Sequence, residues 1–275
     1  MPSSNFFHER VEKILLSNNP SNKIDLFNKF YEEYKSNQII FEESFSVVAF
    51  TEPSYNSFCI CIPPQNVPKR KNLTAVDGQI NLLHAIAHIE YSAIDLALDG
   101  AYRFVGLPKE YYDDWLKVAE DEIRHFLMLE KLLKELGSHY GAIEVHNALF
   151  EASQKTQVLL ERMAVVPRYL EANGLDATPM ILRKLQKLPK SPMIEKIIDT
   201  LTIILEEEVD HVKKGDTWFS YACSQESESK DIYFDIIKKY YPRGFLRPND
   251  LNLEARKEAG FSCSELKHMA KREVC

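Results

Sequence analysis

Glycine is scarce in this chain, with nine in 275 residues, and long apolar runs are missing altogether. A membrane-spanning helix needs roughly 18 consecutive apolar residues, and charged side chains interrupt every apolar stretch here before that length. The first residues, Met1-Pro2-Ser3-Ser4-Asn5, lack the basic start of a secretory signal, and the charges of Glu9 and Arg10 follow closely. We therefore expect a cytoplasmic protein without a membrane partner.

Cysteine is equally sparse. Its five copies are scattered, at Cys59, Cys61, Cys223, Cys263 and Cys275. An odd number without regular spacing argues against a disulfide framework. Cys59 and Cys61 are separated by one residue, which is too close for the spacing of a zinc knuckle. We expect Cys59 and Cys61 to lie on a strand or extended segment, with reduced thiols.

An excess of positive charge is also absent. The 34 Lys and Arg residues face 41 Asp and Glu residues, which gives a net charge of −7. Such a chain has no general attraction to nucleic acid or to an anionic membrane, because both carry negative charge. The sequence has no extended basic stripe, although Lys69-Arg70-Lys71 is one candidate for a local basic patch.

Apolar residues instead recur at steps of three and four, which is the pattern of α-helices. The pattern predicts two short helices within residues 6–36, broken at Asn18-Asn19-Pro20-Ser21. Four longer helical stretches follow, over about 77–104, 108–137, 159–188 and 192–221. The third is expected to break at Asn173-Gly174, since glycine and asparagine favour turns.

The fold class predicted from this pattern is all-α, with a four-helix bundle at its centre. Residues 39–68 carry prolines and β-branched residues, so we expect an extended wrap with a small hairpin there. The predicted domains are 1–76 as N-terminal helices and wrap, 77–222 as the bundle, and 223–275 as a tail that packs on it.

Two short strings are candidates for chemistry. Glu122-Ile123-Arg124-His125 and Glu208-Val209-Asp210-His211 each place a carboxylate three residues ahead of a histidine. On a helix this spacing puts both side chains on one face, where they can bind the same cation. Both strings lie within apolar helix faces, where an uncompensated charge is costly. A bound metal ion would compensate that charge.

Each of these motifs lies on the second helix of a predicted hairpin whose first helix offers a lone carboxylate. Glu90 and Glu122 are equally far from Gly106, and Glu171 and Glu208 are likewise equidistant from the next expected turn. Residues equidistant from an antiparallel turn lie at the same depth. We therefore expect the two carboxylates of each hairpin to lie level.

The ligand on the third helix has two candidates. Glu171 is preferred on hairpin depth, and Glu161 is the alternative, although Pro167 loosens the helix that follows it. The predicted metal ligands are Glu90, Glu122, His125, Glu171, Glu208 and His211.

For any single carboxylate, a buried ion pair with Arg124, Arg162 or Arg168 is the competing interpretation. The set as a whole favours a metal, because several core-facing carboxylates at matched depths call for a shared partner. Asp121 and Asp210 adjoin ligand positions, so each either orients a ligating imidazole or lies on a solvated face.

Other histidines are expected outside the site. Glu265-Leu266-Lys267-His268 repeats the motif spacing, but it lies in a polar tail and no metal role is expected for it. His84 and His88 sit more than about 90° around the helix from Glu90. We expect His84 to pack near the end of the bundle and His88 to form hydrogen bonds at the surface.

The donor set indicates the metal. Four carboxylates and two imidazoles form a hard, mostly oxygen site that suits iron, with manganese as the alternative. Bridging carboxylates let such a site hold two cations, and the thiolates that structural zinc favours are not part of it. Two ferrous ions can together deliver two electrons to dioxygen, so oxygen activation is the expected reaction.

Three further strings, together with the ligand pattern, resemble a known family. They are His84-Ala85-Ile86-Ala87-His88-Ile89-Glu90, Val166-Pro167-Arg168-Tyr169-Leu170-Glu171-Ala172-Asn173-Gly174-Leu175-Asp176, and Asn252-Leu253-Glu254-Ala255-Arg256. Over about residues 64–262 the chain resembles the ferritin-like superfamily, and within it a bacterial family of unsettled activity that is related to tRNA-modifying diiron hydroxylases. The resemblance implies a ferritin-like four-helix bundle with a diiron centre.

The tail motif has two interpretations. Asn252 is expected to cap a short helix that ends at Gly260. Alternatively, Arg256 or Arg247 closes the mouth of the metal site.

The leading functional hypothesis is an oxidoreductase that uses dioxygen to hydroxylate or desaturate an unidentified substrate, with an electron donor as partner. A tRNA substrate follows from the family relation alone. The alternatives are an iron-binding or ferroxidase protein without an organic substrate, and a structural bundle whose carboxylates form ion pairs.

Overall fold

The computed structural model describes residues 5–42, 44–69, 71–245 and 250–275, and helices dominate these ranges. The α-helices are α1 (Phe7–Leu15), α2 (Pro20–Lys35), α3 (Val76–Arg103), α4 (Lys109–Glu135), α5 (Ala148–Lys155), α6 (Leu159–Val165), α7 (Ala172–Leu185), α8 (Pro192–Glu226), α9 (Ile232–Tyr240), α10 (Leu253–Glu258) and α11 (Cys263–Ala270). Within those ranges β-structure is limited to isolated bridges, so the predicted all-α class is confirmed.

Local capping explains where two of these helices begin. The Asn19 side chain accepts a hydrogen bond from the Asn22 amide at 2.9 Å ahead of α2. Ser191 does the same for the Ile194 amide at 3.2 Å ahead of α8. In both helices a proline follows the capping residue, where its missing N–H has no helical partner to lose.

The chain forms two compact units, Met1–Phe150 and Glu151–Cys275. In the N-terminal unit, α3 and α4 pack along their length as an antiparallel hairpin, and α1 packs on α3. Gly106 lies in the turn between α3 and α4 with φ of +77°, a conformation that favours glycine. The Tyr112 hydroxyl donates to the Phe104 carbonyl at 3.0 Å and fixes this turn. The predicted first hairpin is therefore present.

The hairpin expected within residues 39–68 is wrong. Over the described part of this segment the chain forms two 3₁₀ turns, Ser54–Ser57 and Pro64–Asn66, and single bridges at Ile40 and Cys61. Prolines lack the N–H that a strand ladder needs, which explains why no hairpin forms. Individual hydrogen bonds join the segment to the rest of its unit. For example, the Ile62 amide donates to the Val145 carbonyl at 2.8 Å.

In the C-terminal unit the first arm of the hairpin is irregular. α6 continues into a π-helical turn, Val166–Glu171, and then directly into α7, and all three pack on α8. The expected break at Asn173-Gly174 is wrong, because both residues lie inside α7. A helix-interior glycine costs only about 1 kcal/mol relative to alanine, which packing readily outweighs.

The tail folds onto this unit through short helices. α9 packs on α6, and α10 packs on α7 and α8. Cys263 and Cys275 form a disulfide, with their Cα atoms 6.1 Å apart, although the odd number and the scattered positions of the cysteines argue against a disulfide framework. Lys271 adopts φ of +52° after α11 and reverses the chain, which brings the two cysteines together. The other cysteines are free.

Among the helices of the described ranges, none combines the length and the apolar character that crossing a bilayer requires.

Candidate metal centre

The α3–α4 hairpin places two carboxylates and an imidazole together in its interior. Glu90 on α3 and Glu122 and His125 on α4 are 5%, 1% and 0% exposed. Each offers a ligand atom, and these atoms all lie within 4.8 Å of one another. The equal distances of Glu90 and Glu122 from Gly106 predicted this meeting.

The separations between these atoms fit a shared cation. His125 Nδ1 lies 3.1 Å from Glu90 Oε2 and 3.7 Å from Glu122 Oε2. Two ligands that each bind one ion at about 2.1 Å lie about 3.0 Å apart at a right angle and about 3.4 Å apart at a tetrahedral angle. The donor atoms are hard oxygens and one nitrogen, which is the chemistry that iron and manganese favour.

The electrostatics of the trio also favour a cation. Burial lowers the pKa of His125, but hydrogen bonding and negative charge from Glu122 and Glu90 outweigh it and raise the pKa to about 11. Two buried carboxylates thus attract a positive charge into a small volume. A metal ion bound there would replace the proton that the imidazole otherwise holds.

In the C-terminal unit, α8 presents the second motif in a similar way. His211 Nδ1 lies 3.3 Å from Glu208 Oε1, and the imidazole is 1% exposed. Both motifs therefore turn the same histidine nitrogen toward the carboxylate three residues earlier. The i and i+3 positions of a helix bring these atoms together.

The two candidates on the third helical stretch are in different surroundings. Glu171 is the last residue of the π-helical turn and is half-buried. Glu161 accepts from Lys239 Nζ and from the Tyr240 hydroxyl, each at 2.5 Å. The Glu161 carboxylate is thus already occupied by a surface ion pair, and this favours Glu171.

The competing interpretation paired the carboxylates with arginines, and those arginines have other partners. Arg124 binds Asp121 at 2.9 Å, and Arg162 Nη2 donates to the Ser153 carbonyl at 2.7 Å. Arg168 forms ion pairs with Asp216 at 2.9 Å and with Glu265 at 2.8 Å.

The two aspartates beside ligand positions differ. Asp121 is 6% exposed and accepts from Lys117 at 2.8 Å and from Arg124 at 2.9 Å. Asp210 is exposed and pairs with Lys214 one turn later on α8. Asp210 therefore matches the solvated-face interpretation, whereas Asp121 lies inside an ion-pair network.

His84 and His88 lie at a separate place, and the expectation of a surface position for His88 is wrong. His88 is 4% exposed. Its Nδ1 forms a hydrogen bond with the Tyr140 hydroxyl at 2.8 Å, and its Nε2 forms one with the His146 carbonyl at 2.7 Å. His84 Nε2 accepts from the Gly141 amide at 2.9 Å. Both imidazoles form hydrogen bonds with the loop after α4. Burial lowers the pKa of both to about 4.

The third copy of the motif takes part in helix capping and in an ion pair. Ser262 and Glu265 form a reciprocal capping box at the start of α11. Glu265 also accepts from Arg168 Nη2 at 2.8 Å, and the His268 ring lies 3.9 Å from that of Phe234.

The helix cap predicted in the tail is confirmed. Asn252 accepts from the Ala255 amide at 3.3 Å at the start of α10, and Gly260 follows the helix with φ of +99°. Arg256 binds Asp176 on α7 at 2.6 Å. Arg247 lies outside the described residues.

Sequence reasoning missed the π-helical turn that carries Glu171 and the tail contacts around it. The available signals were Pro167 within a helical pattern and the buried charges Arg168 and Arg256, whose partners lie 97 and 80 residues away in sequence. Local periodicity contains no information about such distant pairs.

Comparison with known proteins places these features in a family. The profile of a family described as "Protein of unknown function (DUF455)" matches residues 16–267. The chain is also 36% identical over 278 residues to a Haemophilus influenzae protein described as uncharacterized, and the alignment covers 94% of this chain and 92% of that protein. No solved structure matches the chain.

Proposed function

Since the chain belongs to the DUF455 family, we propose a function from the geometry of its Glu-x-x-His motifs. The protein is a dimetal carboxylate protein with a ferritin-like four-helix bundle, and two iron ions are its expected cofactor, with manganese as the alternative. The proposed ligands are Glu90, Glu122, His125, Glu171, Glu208 and His211.

The observation that carries the proposal is the buried trio of the α3–α4 hairpin. Glu90, Glu122 and His125 offer ligand atoms within 4.8 Å of one another, and each side chain is at most 5% exposed. Two carboxylates buried this closely repel each other unless a cation lies between them. The matching geometry of Glu208 and His211 supports a second set of ligands of the same kind.

The proposed activity is the dioxygen-dependent hydroxylation or desaturation of an organic substrate. A bound ferrous pair would supply two electrons to dioxygen, and an external electron donor would restore the ferrous state. The carboxylates would hold the ions at low net charge, and the apolar side chains on the same helix faces would limit the access of water. The segments before and after the proposed bundle, residues 1–76 and 223–275, are long enough to contribute a substrate pocket.

Metal analysis together with an absorption spectrum tests the proposal. Protein loaded anaerobically with ferrous iron and then exposed to air is expected to hold two irons per chain and to show the near-ultraviolet absorption of oxo-bridged ferric ions. Glu122→Ala and His211→Ala should each lose bound iron, because each removes a ligand.

Two other glutamates serve as matched controls. Glu120→Ala on α4 and Glu206→Ala on α8 should keep the full iron content, since Glu206 is exposed and Glu120 is partly exposed and pairs with Lys117. If Glu122→Ala and His211→Ala also kept full iron, the ligand assignment would be wrong.

The same preparation separates the oxidoreductase from a ferroxidase or iron-storage protein. Storage in a ferritin-like shell predicts a large symmetric assembly, which light scattering would detect. A monomer or dimer would favour the oxidoreductase. Conversion of a tRNA remains a hypothesis from family analogy, and the net charge of −7 does not favour it.

A further inference from the structure

We propose that Arg256, through its pair with Asp176, is a positioning residue for Glu171. The inference rests on the proposed function, because it assigns Glu171 to the metal ligands. It concerns the C-terminal unit alone, where the tail meets the helical turns on both sides of Glu171.

The helix around Glu171 has two irregularities. The turn Val166–Glu171 is π-helical, so its backbone hydrogen bonds join residues five apart, whereas those of an α-helix join residues four apart. Pro179 lies inside α7 and has no N–H, so the Leu175 carbonyl four residues earlier lacks its helical donor. Glu171 therefore lies between a widened turn and a point in α7 where the helix does not complete its own hydrogen bonding.

Side chains of α10 and its cap donate to this part of α7. Asn252 Nδ2 donates to the Leu175 carbonyl at 3.3 Å, which supplies the donor that Pro179 lacks. Arg256 Nη2 donates to the Ala172 carbonyl at 3.1 Å, on the residue directly after Glu171. The tail thus binds the backbone that follows the ligand.

The Arg256 guanidinium is held in one orientation. It is 2% exposed, and its Nε and Nη2 donate to the two carboxylate oxygens of Asp176 at 3.0 and 2.6 Å. Asp176 also accepts from the Asn252 amide at 2.8 Å. A buried two-point pair of this kind depends strongly on geometry, and lysine cannot reproduce it.

Arg168 fixes the turn on the other side of Glu171. Its guanidinium is fully buried, binds Glu265 and Asp216, and lies 4.6 Å from the Phe261 ring. Arg256 contacts the same ring at 4.9 Å. The Arg168 carbonyl accepts from the Tyr233 hydroxyl at 3.0 Å. The turn that carries Glu171 is therefore bound to the tail both before and after the ligand.

This arrangement matters for the direction in which Glu171 points. A π-helical turn contains one more residue than an α-helical turn, and one residue corresponds to about 100° of rotation around the axis. Relaxation of the turn to α-helical geometry would rotate Glu171 relative to its neighbours. The contacts of Arg256 and Asn252 with α7 oppose that relaxation.

The test compares two buried Arg–carboxylate pairs. Arg256→Gln removes the pair beside Glu171, and Arg10→Gln removes the Arg10–Glu33 pair of the N-terminal unit, which has an N–O distance of 2.6 Å and a similarly buried arginine. Manganese(II) binding to the full-length chain is measured by equilibrium dialysis, and thermal unfolding is measured in parallel. Arg256→Gln should weaken manganese binding about tenfold or more, whereas Arg10→Gln should leave it within twofold of wild type.

A double-mutant cycle with Asp176→Asn identifies the pair as the cause. Arg256→Gln and Asp176→Asn should weaken binding by similar factors, and the double variant should bind no more weakly than either alone. Should Arg256→Gln fail to fold, Arg256→Lys gives the same comparison, with a smaller loss in the same direction.

Manganese affinity within twofold of wild type in Arg256→Gln would overturn the inference. An equal loss in Arg10→Gln would also overturn it, because the effect would then be one of general stability. A wild-type chain that binds no manganese and no iron would instead contradict the proposed function, and the inference would fail with it.

Discussion

The two hairpins carry the same Glu-x-x-His motif on their second helices, but their first arms differ in regularity. In the N-terminal unit, α3 and α4 run without interruption for 28 and 27 residues, and Gly106 makes the turn between them. In the C-terminal unit, the arm opposite α8 contains the π-helical turn Val166–Glu171 and an internal proline, Pro179. The first hairpin is regular along both arms, whereas the irregular arm of the second accepts hydrogen bonds from the tail.

This difference concerns how each candidate ligand is brought into position. Each residue of a regular helix adds the same rise, so Glu90 and Glu122, which are equally far from the turn, lie level and come together. Glu171 is the last residue of a wider turn, and the turn and the residue after it are bound by residues as distant in sequence as Glu265 and Arg256. Ligands on irregular backbone need support from elsewhere in the chain.

The largest expected effect comes from disabling the regular hairpin. In wild type, saturating manganese should raise the unfolding temperature, because a ligand that binds only the folded state stabilises it. Glu122→Ala should abolish this rise, since it removes one of two buried carboxylates. Calorimetry with and without manganese makes the measurement. A rise as large as in wild type would show that Glu122 is not a ligand.

A charge change in the tail should have the next largest effect. Glu265→Gln leaves the buried Arg168 without one of its carboxylates, which should lower the free energy of unfolding by about 3 kcal/mol. Glu254→Gln on the exposed start of α10 serves as control. Urea unfolding at neutral pH measures both, and equal stability of the two variants would contradict the role of this pair.

The same substitution should also alter the pH dependence of stability. Burial raises the pKa of Glu265, but Arg168 and Ser262 outweigh burial and hold the pKa below its ordinary value of 4.5. A lowered pKa in the folded state means that the stabilisation is complete above that ordinary value and is lost as the pH falls below it. Wild type should therefore lose more stability than Glu265→Gln between pH 5 and the lower pKa. Parallel pH profiles would contradict this.

Two glycines of the irregular hairpin give a smaller and opposite pair of effects. A Cβ at Gly215 on α8 would lie 2.3 Å from Cβ of Pro167, whereas a Cβ at Gly174 on α7 meets nothing within 4 Å. Gly215→Ala should destabilise by about 1–3 kcal/mol, because Pro167 cannot move without disturbing the π-helical turn. Gly174→Ala should stabilise by about 0.5–1 kcal/mol. Urea unfolding decides, and the same sign for both would contradict the packing.

The regular parts of the fold were predictable because they follow from periodicity. The bounds of α3 and α4 agree with the expected stretches to within two residues, and the start of α8 is marked by the local signals Ser191 and Pro192. The end of α8, Glu226, lies beyond the expected end at Tyr221. The continuous helix through Gly174 was not predicted, because the Asn252 and Arg256 contacts that support it come from the far end of the chain. The Cys263–Cys275 disulfide was not predicted either, because the chain reversal at Lys271 that brings the two cysteines together has no signal in the sequence.

The candidate site divides in the same way. The trio Glu90, Glu122 and His125 was predicted from spacing and apolar faces alone. For Glu171 and Glu161 the spacing left two candidates, and only the contacts of Glu161 with Lys239 and Tyr240 separate them. The remaining ligand assignments stay predictions.

X-ray absorption at the iron edge distinguishes a dimetal centre from other kinds of iron site. The iron-loaded chain should show oxygen and nitrogen ligands at about 2.0–2.2 Å, one imidazole per iron, and a second iron within about 4 Å. Sulfur ligands, or isolated irons without a neighbouring metal, would contradict a dimetal centre built from four glutamates and two histidines.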